Sequence, residues 1–397
     1  MIRALVMGAA AAAVWLMPAA ATAQSLVTFT PSLSIGSVYD DNLFARTVGT
    51  GDQMTLLTPG IEASYSNPRA AFLGLYTFDM QRSFDHPALN EFEARRHAFI
   101  DSHYRRSSQL SFAMVGRYDL TQTAGDLSFN TGLLFNRHQA VRWEINPSVA
   151  YQVRPRTTIA ALYDRTTERI VGETSAFEDI GRFTVTRQKT PRTSIGFGYS
   201  VRHFINGDET HTSNAILFGS TYAFSPAMTF TMQAGPRLSS RGTLEPDITA
   251  TLARRPGINS IGYAIDVWRG ESIILGVTGP VEVLSTTSGL SWPVRRTIEM
   301  GIRGGLFDST TLSQGKARVY HAEAVAAWSP MGPLILAVSY GADFQRGDVR
   351  TSLLADREVV RHLFQVRLTV APRLSRSFQP EDPLRPLGDP NSKGVQR

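Results

Sequence analysis

The chain has 397 residues, of which 42% are apolar and 19% are charged, and its mean hydropathy is slightly negative. A chain of this length can bury a sizeable core, and it is too polar for a bundle of membrane-spanning helices. It contains no cysteine, which excludes disulfides, thiolate zinc sites, iron–sulfur clusters and a lipidated N-terminal cysteine.

The basic residues are almost all arginine. Of the 40 basic residues only Lys189, Lys316 and Lys393 are lysines, and the formal net charge is +6. An arginine-rich, cationic chain suits the binding of anions or nucleic acid, although a GC-rich genome would produce the same composition. Composition leaves both interpretations open.

The first predicted element is an export signal. Residues 1–3 are a short basic start, residues 4–16 are apolar, and residues 21–23 read Ala-Thr-Ala, the small residues that a signal peptidase accepts. We therefore predict a signal peptide over residues 1–23. No later uncharged apolar run reaches about 18 residues, the length that a spanning helix needs, so a helical membrane protein is not predicted.

Beyond the signal, the chain repeats a unit made of an aromatic residue, a turn that often contains Pro and Arg, and an alternating apolar run. From Pro155 onward the turn prolines recur at intervals of 30 to 37 residues. That spacing fits a hairpin of two strands of about ten residues, a short turn and a longer loop. The predicted turns lie, in chain order, near Pro68, Ser107, Pro155, Pro191, Pro226, Pro256, Pro293 and Pro330.

The segments between these turns alternate with period two, as half-buried strands do. Ile195, Phe197 and Tyr199, for example, alternate with Gly and Ser. Eight turns join sixteen strands, and a first strand near Val27–Tyr39 and a last near Val359–Leu374 bring the number to 18. The sequence predicts an all-β, antiparallel, up-and-down barrel of about 18 strands, with 16 as the alternative, because Asp247–Arg254 and Leu284–Trp292 are weak strands.

The position of the aromatic residues favours a membrane-spanning barrel over a soluble propeller, sandwich or lipocalin-like fold. Seven aromatic side chains lie within a few residues of the short turns, as an interfacial girdle would, whereas core aromatics would be scattered along the strands. No propeller blade signature is present. The seven are Tyr65, Tyr104, Tyr151, Tyr222, Phe224, Trp292 and Trp328.

The chain resembles a family of outer-membrane β-barrel porins of Gram-negative bacteria, some of which accompany exopolysaccharide export loci. The resemblance rests on residues 29–34 followed by Asp40-Asp41-Asn42, on residues 57–61, and on the repeated Pro-Arg-Thr turns. It implies a location in the outer membrane, a barrel over residues 24–374 and contact with membrane lipid. One departure is that such barrels commonly end on an aromatic residue, whereas here a Pro-rich tail, predicted to be periplasmic, occupies residues 375–397.

The polar faces of the predicted strands would line the lumen, and their charges nearly balance, so a filter of one sign is not predicted. Mixed charges would keep a water-filled channel open, or they would pair with one another inside a narrow or plugged barrel. The predicted lumen-lining residues are Arg95, Arg117, Arg142, Arg202, Arg303, Arg367, Asp101, Asp119, Glu144 and Asp343.

The excess of positive charge falls instead in and beside the short turns, which face the periplasm in bacterial barrels. We predict a periplasmic basic rim that includes Arg154, Arg156, Arg192, Arg295 and Arg296. Such a rim would gather an anionic polysaccharide or dock an acidic periplasmic export protein, although solvated turns also carry charge.

No enzyme, cofactor or metal site is predicted. His97 and His103 are too far apart along one strand to share a metal, and His203 and His211 have no evident supporting groups. No phosphate loop or dinucleotide motif is present, and export argues against nucleic acid as a partner. The sequence therefore favours a porin-like channel, with a closed structural or docking barrel of an envelope assembly and a barrel hydrolase as the alternatives.

Overall fold

The computed structural model describes residues 26–123, 127, 131–171, 175–206, 209–257, 260–273, 279–311, 315–347 and 358–371. The predicted signal peptide and the predicted Pro-rich tail lie outside these residues. In the described part of the chain, no helix is long and apolar enough to cross a membrane, and the short 3₁₀ turn Pro87–Leu89 is the helical element.

Eighteen strands account for most of the described residues, which confirms the prediction of 18 over the alternative of 16. The two weakly predicted strands are both present, as β12 and β14. The strands are β1 Leu26–Asp40, β2 Asp52–Ser66, β3 Ala70–Ser83, β4 Glu91–Arg105, β5 Leu110–Thr121, β6 Ala140–Arg154, β7 Thr157–Ile170, β8 Ser175–Thr190, β9 Thr193–Asn206, β10 Glu209–Ser225, β11 Met228–Ser239, β12 Leu244–Arg254, β13 Gly262–Ser272, β14 Val281–Arg295, β15 Ile298–Thr311, β16 Lys316–Met331, β17 Leu334–Gly347 and β18 Glu358–Val370.

Each strand pairs antiparallel with the next one along the chain, and β18 pairs with β1, so the sheet closes into a barrel. Closure satisfies backbone N–H and C=O groups between strands, which is what a lipid environment requires. The connections that follow even-numbered strands are the short turns, and we call that end of the barrel the turn end and the opposite end the loop end. β1 starts and β18 finishes at the turn end.

The outer surface carries an apolar belt. Along β16 the outward side chains run from Tyr320 through three alanines to Trp328, and the charged Arg318 lies at the loop end of this run. Ten residues from Arg318 to Trp328 span about 33 Å of strand, or about 25 Å of barrel height at a tilt of about 40°. This height matches the apolar band of an outer-membrane barrel. The turn-end aromatics predicted as a girdle lie on the outer surface, with Trp292 and Trp328 about half exposed.

The seam between β1 and β18 is clamped at the loop end by the Asp40-Asp41-Asn42 motif. Arg361 Nη2 lies 2.7 Å from Asp40 Oδ2, and Arg361 Nε lies 3.1 Å from the same oxygen. Asn42 Nδ2 donates to the carbonyl of Val360 at 2.8 Å, and the backbone N–H of His362 donates to Asp41 at 2.6 Å. The motif that carried the family resemblance therefore joins the two ends of the sheet.

One outward charge interrupts the polar–apolar alternation. Arg96 pairs in register with Leu120 on the lipid-facing side of β5, near the loop end. The pairing of β3 with β4 shifts between Asp79 and Gln81, and beside this irregularity Arg96 forms an ion pair with Glu93. Arg96 therefore has a carboxylate partner at this irregularity.

Candidate functional site

The inner wall of the barrel is the candidate site, and the ten predicted lumen-lining residues all lie on it. Each has a position on the face opposite an outward apolar neighbour, and their inward side chains are buried or half-buried. Their partners differ. Some contact one another, some contact histidines, and some contact other charged side chains.

Arg142, Glu144 and Glu168 form one charged cluster on β6 and β7. Arg142 Nη1 lies 2.8 Å from Glu168 Oε1, and Arg142 Nη2 lies 3.3 Å from Glu144 Oε2. Arg142 Nη1 also donates to the backbone carbonyl of Leu127 at 3.1 Å. One guanidinium therefore links two strands of the wall to the segment between β5 and β6.

Arg202 crosses two strands to reach its partner. Its Nη2 lies 2.8 Å from Asp247 Oδ2, although β10 and β11 lie between their strands. The intervening inner positions are small, including Ala215 and Gly235. A Cβ at Gly235 would collide with the carbonyl oxygen of Ile216, so β10 and β11 approach closely beneath this ion pair.

A buried polar cluster that sequence reasoning missed lies at the loop end. The carboxylate of Glu271 accepts from Ser213 Oγ, lies 3.2 Å from His211 Nε2 and lies 3.5 Å from Arg237 Nε. Arg237 is only 1% exposed and also pairs with Glu282. Because Ser213 and His211 both contact the carboxylate and not each other, this is not the relay of a nucleophilic hydrolase.

Three histidines pair with aspartates along the inner wall. His97 Nδ1 lies 2.7 Å from Asp119 Oδ1, His103 Nε2 lies 2.9 Å from Asp101 Oδ1, and His321 Nδ1 lies 2.6 Å from Asp343 Oδ1. Each imidazole therefore has its own carboxylate. In the described residues, no group of three or more histidine or acidic side chains is arranged to hold a metal ion.

The remaining predicted lumen residues differ in their surroundings. Arg303 Nε lies 3.5 Å from Glu323 Oε2, Arg95 lies opposite Asp79 in the strand register, and Arg367 lies opposite Gly36 across the seam. Arg117 lies opposite Glu144 but forms no ion pair with a described residue.

The segment between β5 and β6 folds into the barrel, which the sequence did not predict. Leu127, Leu133 and Phe135 are buried in an apolar cluster with inward side chains of strands on both sides of the lumen. The backbone N–H of Leu134 donates to Gln345 Oε1 on β17 at 2.7 Å. The sequence feature that could have indicated this burial is a short apolar run inside the long connection between β5 and β6. The other members of the cluster are Ala140, Ile170, Ala176, Val281, Val283, Phe307, Ala317 and Val319.

The predicted rim residues Arg154, Arg156, Arg192, Arg295 and Arg296 are all exposed at the turn end. None of the five forms an ion pair with a described residue. The eight turn segments contain no Asp or Glu. By contrast, several outward arginines near the loop end have carboxylate partners, as in the pair Arg318–Asp308 at 2.6 Å. Within the described residues, these five arginines are therefore not neutralised by ion pairs.

No family model matches the sequence, and no curated protein matches it. Among solved structures, the chain is similar to the outer membrane protein OpdK from Pseudomonas aeruginosa, with 8% identity, a TM-score of 0.43, and coverage of 87% of this chain and 99% of that chain. It is also similar to OccK3 (OpdO) of the same organism, with 10% identity, a TM-score of 0.44, and coverage of 86% and 95%. OpdQ, also from Pseudomonas aeruginosa, gives 8% identity, a TM-score of 0.44, and coverage of 87% and 98%.

Similarity at this level does not assign a function, so the location of the protein follows from its own geometry. A closed barrel of eighteen strands with an apolar outer belt, a turn-end aromatic girdle and a polar inner wall satisfies its backbone inside lipid and presents apolar side chains to it. The geometry is that of a transmembrane β-barrel of the outer-membrane type.

Proposed function

We propose that the barrel is a channel for anionic carbohydrate, which enters or leaves at the basic turn end. The observation that carries the proposal is the rim of arginines at the turn end, because Arg154, Arg156, Arg192, Arg295 and Arg296 are exposed and form no ion pair with a described residue. A field of one sign at the mouth of a low-dielectric lumen raises the local concentration of counter-ions.

The side chains of the inner wall next to that rim are suited to hydrogen bonding with a hydroxylated solute. The inward positions of β10 to β12 in the turn-end half are mainly threonine and glutamine, and Thr221 and Thr231 face each other with their hydroxyl oxygens 3.4 Å apart. Thr251 donates to the carboxylate of Asp266 at 2.6 Å. Hydroxyls and amides both donate and accept hydrogen bonds, as sugar hydroxyls do.

The test is reconstitution of the mature protein in planar bilayers. Replacing Arg154, Arg156, Arg295 and Arg296 together by Gln should lower the preference for anions over cations and slow the entry of glucuronate, with little change for glucose. The same recordings with oligouronates of increasing length then test whether a polymer can pass.

The matched control removes four other arginines that have acidic partners near the loop end. Arg165, Arg241, Arg318 and Arg346 each lie within 4.0 Å of a carboxylate. Replacing these four by Gln changes the net charge equally and should leave selectivity nearly unchanged. Equal effects of the two sets would contradict a specific role for the rim.

The closed docking barrel is the second candidate, and the apolar cluster around Leu133 and Phe135 favours it, because this cluster joins opposite sides of the lumen near the loop end. A barrel closed in this way would show no conductance steps at any voltage. Steps in the wild-type protein would exclude it.

A further inference from the structure

Trp268 on β13 points into the lumen, unlike the other tryptophans of the described chain. Those others lie on the outer surface and are Trp143, Trp292 and Trp328. A Cβ at Gly270, two residues further along the same face, would lie 2.8, 3.0 and 3.2 Å from Cζ2, Cε2 and Nε1 of the Trp268 indole. Glycine at this position therefore lets one face of the ring cover the backbone, and the opposite face is directed away from the wall.

Two polar groups beside this ring have no partner within the described chain. The indole N–H of Trp268 and the side-chain amide of Gln233 form no hydrogen bond with a described residue. Thr249 lies between them, because it is opposite Gln233 on β11 and opposite Trp268 on β13. Thr249 has an inward position and is exposed, so the lumen is open at this point of the wall. The three side chains therefore present hydrogen-bonding groups to the lumen.

A carboxylate lies beside these groups, on the side of the turn end. Asp266 shares the inward face of β13 with Trp268 and is two residues, or about 7 Å, nearer the turn end. Thr251 Oγ1 donates to Asp266 Oδ1 at 2.6 Å. An aromatic plane, an amide, hydroxyls and a carboxylate thus meet on three neighbouring strands, β11 to β13.

We propose that Trp268, Thr249 and Gln233 form a subsite for one sugar ring, with Asp266 as a further hydrogen-bond acceptor. The inference rests on the proposed carbohydrate channel and names the place where the wall contacts the solute. The C–H face of a pyranose ring is apolar and packs on the indole plane. The hydroxyls at the edge of the same ring can then exchange hydrogen bonds with the amide, the threonine hydroxyl and the carboxylate.

This combination of groups favours a hydroxylated ring over other solutes. A flat apolar solute would stack on the indole but would leave the amide of Gln233 and the carboxylate of Asp266 without hydrogen bonds from it. A small anion would be repelled by Asp266. The rim and the subsite therefore have separate roles, because the rim attracts charge and the subsite recognises the ring.

Tryptophan fluorescence can locate the bound sugar. In the reporter variant W143F/W292F/W328F, Trp268 is the remaining tryptophan beyond the predicted signal peptide. The probes are neutral trisaccharides of glucose, of mannose and of galactose, added to the mature protein in detergent micelles. At least one of them should reduce quenching of Trp268 by iodide about twofold or more, because a seated sugar ring covers the indole face. The control reporter W268F/W292F/W328F keeps Trp143 on the outer surface and should show no protection.

Calorimetric titration with the protecting trisaccharide then measures what each group contributes. T249V and Q233L remove hydrogen bonds at similar side-chain volume, and each should raise Kd about threefold to tenfold. G270A should raise Kd at least as much, because the added Cβ displaces the indole. The matched control is G341A, also on the inner wall, where the nearest atom to an added Cβ is 3.7 Å away. It should keep Kd within about twofold of the wild-type value.

Absence of protection by all three trisaccharides would overturn the subsite, and so would an unchanged Kd in T249V, Q233L and G270A. The subsite and the channel can fail separately, because binding in micelles requires no conductance. Anion preference that still depends on the rim, together with an unprotected Trp268, would refute the subsite alone. Protection of Trp268 without any effect of the rim on selectivity would confirm the subsite and refute the rim.

Discussion

The seam clamp yields a prediction that can be worked out from the structure. Asp40 is 0% exposed, and its carboxylate receives two N–H donors of Arg361 and the backbone N–H of Asn42. Replacing Asp40 by Asn removes the charge but keeps the shape and one acceptor. Arg361 would then be left without its carboxylate in a mostly buried position.

Breaking a buried ion pair by removing one partner costs about 3–5 kcal/mol. Arg361 keeps some exposure and further contacts, so we expect the lower value, about 3 kcal/mol, which corresponds to roughly a hundredfold change in the unfolding equilibrium. Urea unfolding of the barrel in detergent micelles, followed by tryptophan fluorescence and extrapolated to water, measures the free energy of unfolding.

The control is Asp41→Asn, because Asp41 accepts from a backbone N–H at the same seam but does not pair with Arg361. We expect it to cost about 1 kcal/mol or less. The double variant Asp40→Asn/Arg361→Gln should recover part of the loss, since the two single changes remove the same interaction. If Asp40→Asn costs no more than Asp41→Asn, or if the double variant shows no coupling, the clamp does not hold the seam.

Three further predictions follow from other parts of the barrel. Gly235→Ala should destabilise the barrel by about 1–3 kcal/mol in the same unfolding assay, because its Cβ would meet a facing backbone carbonyl, whereas Gly332→Ala, with no atom within 4 Å, should not. Phe307→Ala should loosen the apolar cluster inside the lumen and raise single-channel conductance in bilayers, and unchanged conductance would show that this cluster does not limit flow. Ala324→Arg, on the lipid face of β16, should cost about 2–4 kcal/mol in bilayer refolding, and Ala327→Arg, on the inner face of the same strand, should cost less.

The local features of the barrel could be predicted because their causes are local. A strand with one lipid-facing side must alternate with period two, and a two-residue turn needs Pro, Gly or polar residues, so strands and turns appear in the sequence directly. β8 and β9, joined at Pro191-Arg192, show this. The faces of Arg142 and Arg202 follow from the same alternation, without any knowledge of their partners.

The partners of these side chains could not be predicted, because closure of the sheet decides them. Arg361 and Asp40 are 321 positions apart, and His211 and Glu271 are 60 apart. His321 and Glu323 share a face of β16, but the carboxylate that contacts His321 Nδ1 belongs to Asp343 of the neighbouring strand. The spacing of residues along one strand does not determine which residues of the neighbouring strand lie opposite them.

The sequence by itself determined the fold class, the approximate number of strands and which side chains point towards lipid, because these depend on alternation and on turn chemistry within a few residues. Only the tertiary structure decided that the segment between β5 and β6 lies inside the barrel, with Leu133 and Phe135 in one buried apolar cluster that includes residues of β15 and β16. It also decided the register in which β18 closes the barrel on β1, from Leu33 opposite Val370 to Asp40 opposite Leu363. Both depend on surfaces that exist only after the sheet has closed, when residues far apart in the chain become neighbours.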